Sequence, residues 1–158
     1  MSRTLVLNLV MLQSIVSMIT IPIAGHLSDV YGRRKIIGIG CVIMLIFPFV
    51  YFSMIDTKIV ALIALAIVLG LPSHDLQYGP QGAFIAESFP GSVRYSGAGL
   101  GYQLASITAG GPAPIIAVLL YGHYRSSMAI AIYIAISALV SLICLAVLKD
   151  KTGLLDEK

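Results

Sequence analysis

Five long apolar runs joined by short polar turns dominate this chain and leave it few ways to fold. They cover residues 5–27, 36–54, 59–89, 97–121 and 127–148. Crossing a hydrocarbon core of about 30 Å takes about 20 helical residues. Lipid offers no partner to open backbone N–H and C=O groups, so such spans are expected to be helical. The short turns make sequence neighbours antiparallel. Composition agrees: 58% of the 158 residues are hydrophobic and 11% are charged, against about 25% charged in soluble domains. The mean hydropathy is +0.97. The expected fold is all-α and polytopic, with its outer surface against lipid. No short apolar segment with a small-residue cleavage site stands out, so no signal peptide is expected.

The first turn carries the most information. It reads Gly25-His26-Leu27-Ser28-Asp29-Val30-Tyr31-Gly32-Arg33-Arg34-Lys35. Three consecutive cations after an apolar run mark the cytoplasmic end of a span, and Gly32 permits a tight reversal. With Arg33, Arg34 and Lys35 inside, Arg94, Lys149, Lys151 and Lys158 also fall inside, while Arg3, Lys58 and Arg125 fall outside. Seven against three supports that orientation. It also places Tyr51, Phe52, Tyr121 and Tyr124 at the outer interface, where amphipathic rings belong. The net charge of +3 is then the inside bias of Lys and Arg, and no nucleic-acid partner is expected.

The third run is unusual. As a straight helix its 31 residues would measure about 46 Å. Gly70, Pro72, Gly79 and Pro80 are expected to break its regularity. His74 and Asp75 lie near its middle, where an ionisable group is costly and does not face lipid. His74, Gln77, Tyr78 and Gln81 follow at i, i+3, i+4 and i+7, a single helical face. Such a stripe reads as the lining of a substrate or proton pathway, with Gln103 of the fourth run adding to it. The competing reading is an interhelical hydrogen-bond clamp that binds nothing. Gln13, Ser17 and Thr20 make a thinner polar line on the first run. Gly97, Gly101, Ala105 and Ala109 repeat every four residues and suit close helix contact, and a kink is expected at 110–114.

Catalysis finds no support. His26, His74 and His123 lie at three different depths, so neither a metal site nor a nucleophile–base–acid set can assemble from them. Cys41 and Cys144 sit inside apolar runs and suit packing. Asp29, Arg33, Arg34, Glu87 and Arg94, by contrast, all fall at the inner face. Such a group can hold helix ends together and bias a two-state equilibrium, so a cytoplasmic gating network is expected there, with Glu87 facing Arg94 across the second inner turn.

The first turn resembles the loop signature of the major facilitator superfamily, Gly-x-Leu-(Ser/Ala)-Asp-x-x-Gly-Arg-Arg. Val30 departs from it, standing where the family usually carries a cation. Glu87 and Arg94, with six residues between them and Pro90 among these, resemble a second signature, best known from sugar porters. From Gly25 to Asp150 the chain is similar to the C-terminal half of the metabolite:proton symporter family, which includes shikimate, α-ketoglutarate, proline/betaine and dicarboxylate permeases. The similarity rests on Ala86-Glu87-Ser88-Phe89-Pro90, on Val93-Arg94-Tyr95-Ser96-Gly97-Ala98-Gly99-Leu100-Gly101-Tyr102-Gln103, and on Gly110-Gly111 with Pro114-Ile115-Ile116-Ala117.

The resemblance implies a twelve-helix fold in two halves, with these spans matching helices 8–12. Residues 1–150 would be part of the C-terminal six-helix half and 151–158 a cytoplasmic tail. It implies a multi-pass protein of the bacterial inner (plasma) membrane that moves a small organic acid or zwitterion by alternating access, with a proton as coupling ion and no other cofactor. The partners it implies are the metabolite, the lipid bilayer and a missing N-terminal half. The alternative is a non-transporting truncated fragment, or a structural or regulatory partner of other membrane helices.

Overall fold

A computed structural model describes residues 3–148. It is built from helices α1 (Arg3–Tyr31), α2 (Arg33–Asp56), α3 (Val60–Glu87), α4 (Arg94–Ala105), α5 (Ala113–Tyr124) and α6 (Met128–Val147). A 3-10 turn, Gly91–Val93, leads into α4, and a π turn, Ser106–Gly110, separates α4 from α5. Five spans long and apolar enough to cross a membrane result, with α4 and α5 sharing the fourth. Residues 151–158, expected as a cytoplasmic tail, and Lys149, Lys151 and Lys158 of the charge count lie outside the described residues.

The α1–α2 reversal uses one residue. Gly32 adopts φ 96°, a backbone conformation that costs glycine little and a β-branched or bulky residue much. Both proline-containing stretches behave differently from expectation. α3 runs unbroken through Pro72 and Pro80, so the expected break there is absent. The fourth span carries its interruption at 106–112, where the Gly111 amide donates to the Ser106 carbonyl at 2.8 Å, five residues back. Pro112 has no amide to offer Thr108, and the helix accommodates the gap by widening one turn.

Packing follows the logic of a lipid-facing bundle. α3 lies between α1 and α2, α6 packs on the far side of α2, α4 leans on α3, and α5 on α6. The buried positions are mostly small: Ala24, Cys41, Ala66, Ala131, Ala135 and Ala138. Large aliphatics such as Ile132, Ile136, Leu139, Val140 and Ile143 of α6 point outward. In lipid an outward Ile loses nothing, and close backbone approach supplies the attraction. The closest approaches use glycine. A Cβ on Gly79 would stand 2.8 Å from the Ile21 carbonyl oxygen of α1, and one on Gly40 would stand 2.6 Å from Cγ of Gln77. The expected contact stripe on the fourth span behaves otherwise. Gly101 has no neighbour there, and Ala105 and Ala109 are exposed. Ala105 and Ala109 border a cleft that opens toward α3 and α6 and make no close helix contact.

Candidate functional site

The α3 polar residues fan out to three neighbours. Successive helical residues are turned by 100°, so His74 and Asp75 cannot share a face. His74 and Gln81 border a cleft of about 480 Å³ between α3, the fourth span and α6, together with Tyr102, Ser106, Tyr133 and Ser137. Tyr78 lies beside His74, with ring centroids 5.7 Å apart, and its phenol approaches that of Tyr102 on α4. Gln77, 60° round from His74 by helical geometry, packs instead against Gly40 of α2. Gln103 is exposed and does not border the cleft. Among the described residues no Lys, Arg, Asp or Glu lines it, so His74 is the one cleft residue able to carry a positive charge.

Asp75 faces α1. It is 2% exposed. The Ser17 hydroxyl donates to Asp75 Oδ2 at 2.5 Å, and the Thr20 hydroxyl donates to the same oxygen. Ser17 and Thr20 of the thin polar line of α1 thus meet a buried carboxylate, not the cleft, and Gln13 lies beside Gly70 of α3.

At the charged end, Arg33 is the hub. Its Nη2 lies 2.9 Å from Glu87 Oε1 and 3.1 Å from Asp29 Oδ1. Arg33 and Glu87 are 17% and 15% exposed, and Asp29 is 60% exposed. Arg33 opens α2 and Glu87 closes α3, so each stands at the unfavourable pole of its own helix dipole. Pairing them cancels both penalties and ties two helix ends. Arg34 donates from Nη2 to the Ala146 carbonyl at 2.8 Å, a cation at the C-terminal pole of α6. Arg94 stands nearby, but among the described residues it makes no ion pair, and its Nε is buried without a partner. Glu87 therefore pairs with Arg33, not with Arg94 as the spacing suggested. At the opposite end Ser127 donates to Asp56 Oδ2 at 2.6 Å, joining α2 to α6.

Spacing within one helix pointed to His74 and Gln81, but Tyr102, Ser106, Tyr133 and Ser137 come from other elements, and only packing brings them in. A larger hollow between α5 and α6, about 580 Å³, is bordered mainly by Ile116, Leu120, Met128, Ile132 and Ile136. With few polar groups to orient a solute, it is the weaker candidate.

A bundle of five apolar spans, with a polar cleft at mid-span and an ion-paired group at one end, is the architecture of a multi-pass membrane protein. The chain belongs to the major facilitator superfamily, whose family model matches residues 1–157; it is no enzyme. It is similar to the shikimate transporter of Escherichia coli K12, with 34% identity over 150 residues, covering 94% of this chain and 34% of the relative. It is also similar to the inner membrane metabolite transport protein YhjE of the same strain, with 35% identity over 144 residues, covering 90% and 32%. The proline/betaine transporter of that strain is 26% identical over 129 residues, covering 82% and 26%. The chain spans about a third of the length of these curated relatives. No solved structure matches it.

Proposed function

We propose that these helices belong to a secondary active transporter of the bacterial inner membrane, which carries a small organic acid or zwitterion by alternating access with a proton as coupling ion. The cleft is this chain's wall of the substrate path. The observation that carries the reading is the meeting of His74, Gln81, Tyr102, Ser106 and Ser137 around one hollow in the span region of an otherwise apolar bundle. Amide, hydroxyl and imidazole groups can hold the hydroxyls and carboxylate of a small metabolite. A protonated His74 would meet an anion. Tyr78 buttresses His74, and Asp75 holds α1 beside it; Gln77 and Gln103 act at most through packing. The relatives named for shikimate and for proline and betaine motivate the substrate class.

The second wall of the path comes from further helices of the transporter, which also cover the open face of the fourth span. The Asp29–Arg33–Glu87 group, with Arg34 and Arg94, closes the charged end in one of the two states and opens it in the other. The test is uptake into proteoliposomes by the whole transporter, with shikimate and betaine as probes and an imposed pH gradient. Uptake of either probe that follows the gradient supports the reading. Gradient-independent leakage, or no uptake of any small metabolite, overturns it.

A further inference from the structure

Hydroxyl groups in this bundle have a habit. Ser14, Ser73, Thr108, Ser137 and Ser141 each donate to the carbonyl four residues back on their own helix. That is the default for a hydroxyl with no better acceptor in an apolar surrounding. Ser17 and Thr20 depart from it, both donating across to Asp75 Oδ2. Two hydroxyls converging on one oxygen is an arrangement for a charged carboxylate, whose hydrogen bonds are about twice as strong as neutral ones. Yet no cation stands opposite. The two ion pairs among the described residues both belong to Arg33 at the charged end. The other titratable groups on helices packed against α3 can be named. α1 carries Arg3 at its start and His26, Asp29 and Tyr31 at its charged end; α2 carries Arg33, Arg34 and Lys35 at that end, then the Cys41 thiol, the Tyr51 phenol and Asp56; α4 carries Arg94, Tyr95 and the Tyr102 phenol. None of these bonds to Asp75; on α3 itself, His74 turns to the cleft.

The surrounding helix suggests what this arrangement is for. The buried residues of α1 are Ser17, Ala24 and Ser28. From Ile21 to Gly25, α1 presses on Gly79 of α3 through the Ile21 carbonyl, the Ala24 methyl and the Gly25 amide. Before Ile21, Ser17 is the one buried residue among 3–20, and Gln13 lies beside Gly70 of α3. Pro22 removes the amide that would bind the Met18 carbonyl and so weakens the turn between the two stretches. One stretch of α1 is thus fixed to α3 by close backbone contact, and the stretch before it is held by the Asp75 hydrogen bonds and the Gln13 contact.

We propose that Ser17, Thr20 and Asp75 form a proton-operated latch that holds the 3–20 segment of α1 against α3, with the turn weakened by Pro22 as its hinge. With Asp75 charged, both hydroxyls bind it and the segment is held. A proton from water adds to a carboxylate oxygen, forming one O–H bond and removing the charge. Ser17 and Thr20 then turn to their own i−4 carbonyls, as the other hydroxyls do, and the segment swings free. An uncharged side chain would clamp the helices at lower desolvation cost; an acid adds the ability to release. For its purpose the latch rests on the transporter reading, but it is separate from the cleft.

The test is a distance, so its failure and that of the transporter reading are distinguishable. Nitroxide labels go at Met11 on α1 and Leu65 on α3, which are 64% and 48% exposed. The whole protein sits in lipid nanodiscs in an otherwise cysteine-free background. Double electron–electron resonance at high pH should give one short distance. Acidification should raise a second, longer population from minor to major. Asp75→Asn should show the longer population at every pH. Should that variant not insert, Ser17→Ala with Thr20→Val keeps the acid and nearly the same volume, and should show the longer population at high pH. A wild-type distribution that ignores pH leaves a static clamp and overturns the latch. So does either variant, once inserted, that keeps the wild-type response.

Discussion

At the scale of single residues, the two acids that share Arg33 have unequal roles. Glu87 is half-buried against Arg33 and Asp29 stands in solvent. Glu87→Gln leaves the Arg33 charge poorly matched at the α2 N-terminus and should cost about 1–2 kcal/mol of stability. Asp29→Asn should cost less than about 0.5 kcal/mol, as exposed i,i+4 pairs do. Thermal unfolding in detergent, with the two variants side by side, checks the ranking; equal losses would contradict the hub role of Arg33. In the cleft, losing one hydrogen bond to a bound solute costs about 1.4 kcal/mol, a factor of about ten in affinity. His74→Ala should therefore raise the half-saturation concentration of uptake about ten-fold with folded yield intact, while Gln103→Ala leaves it unchanged. Purified-protein uptake curves decide between that and a purely structural His74, which would lower yield alone.

At the scale of elements, α3 is the axis of the bundle, and glycine makes it so. Gly79→Ala puts a methyl 2.8 Å from a backbone oxygen of α1, where nothing flexible can yield. About 1–3 kcal/mol of destabilisation is expected. Gly82, three residues on, has open space around its Cα, and Gly82→Ala should be neutral or slightly stabilising, since Ala favours helix by up to about 1 kcal/mol. Detergent melting temperatures of the pair give the answer, and a destabilised Gly82→Ala would place another surface against that face. Such contacts also account for the two glycines expected to break α3: Gly79 meets α1, and Gly70 lies beside Gln13 of α1 and Tyr51 of α2. A glycine that reads as a weak point in an isolated helix becomes the point of closest approach in a packed one.

At the scale of the whole molecule, the charged ends of α1, α2, α3 and α6 gather at one side, through Arg33, Arg34 and Glu87, and the positive-inside bias puts that side in the cytoplasm. Single cysteines at Ser92 and His123, in a background lacking Cys41 and Cys144, should therefore react with impermeant reagent from opposite faces. Reaction from the same face would overturn the five-span topology. The fourth span has none of its residues buried, and its Ala105 and Ala109 border the same cleft as His74, so this wall of the cleft is open.

Much of this protein was legible in its residues alone, for reasons of short range. Five spans, their helical state, the tight reversal at Gly32 and the closeness of Asp29 and Arg33 across that turn all follow from local hydropathy, backbone need and charge. So does the family, carried by turn motifs whose residues are adjacent in the chain. What the tertiary structure alone decided is pairing. Which acid Arg33 takes, that Asp75 turns to Ser17 and Thr20 and not to the cleft, and that Tyr102, Ser106 and Ser137 join His74 all depend on how helices rotate about their axes. A stripe of polar residues fixes a face within one helix. Only packing, set by where Gly40 and Gly79 let backbones meet, fixes what that face sees.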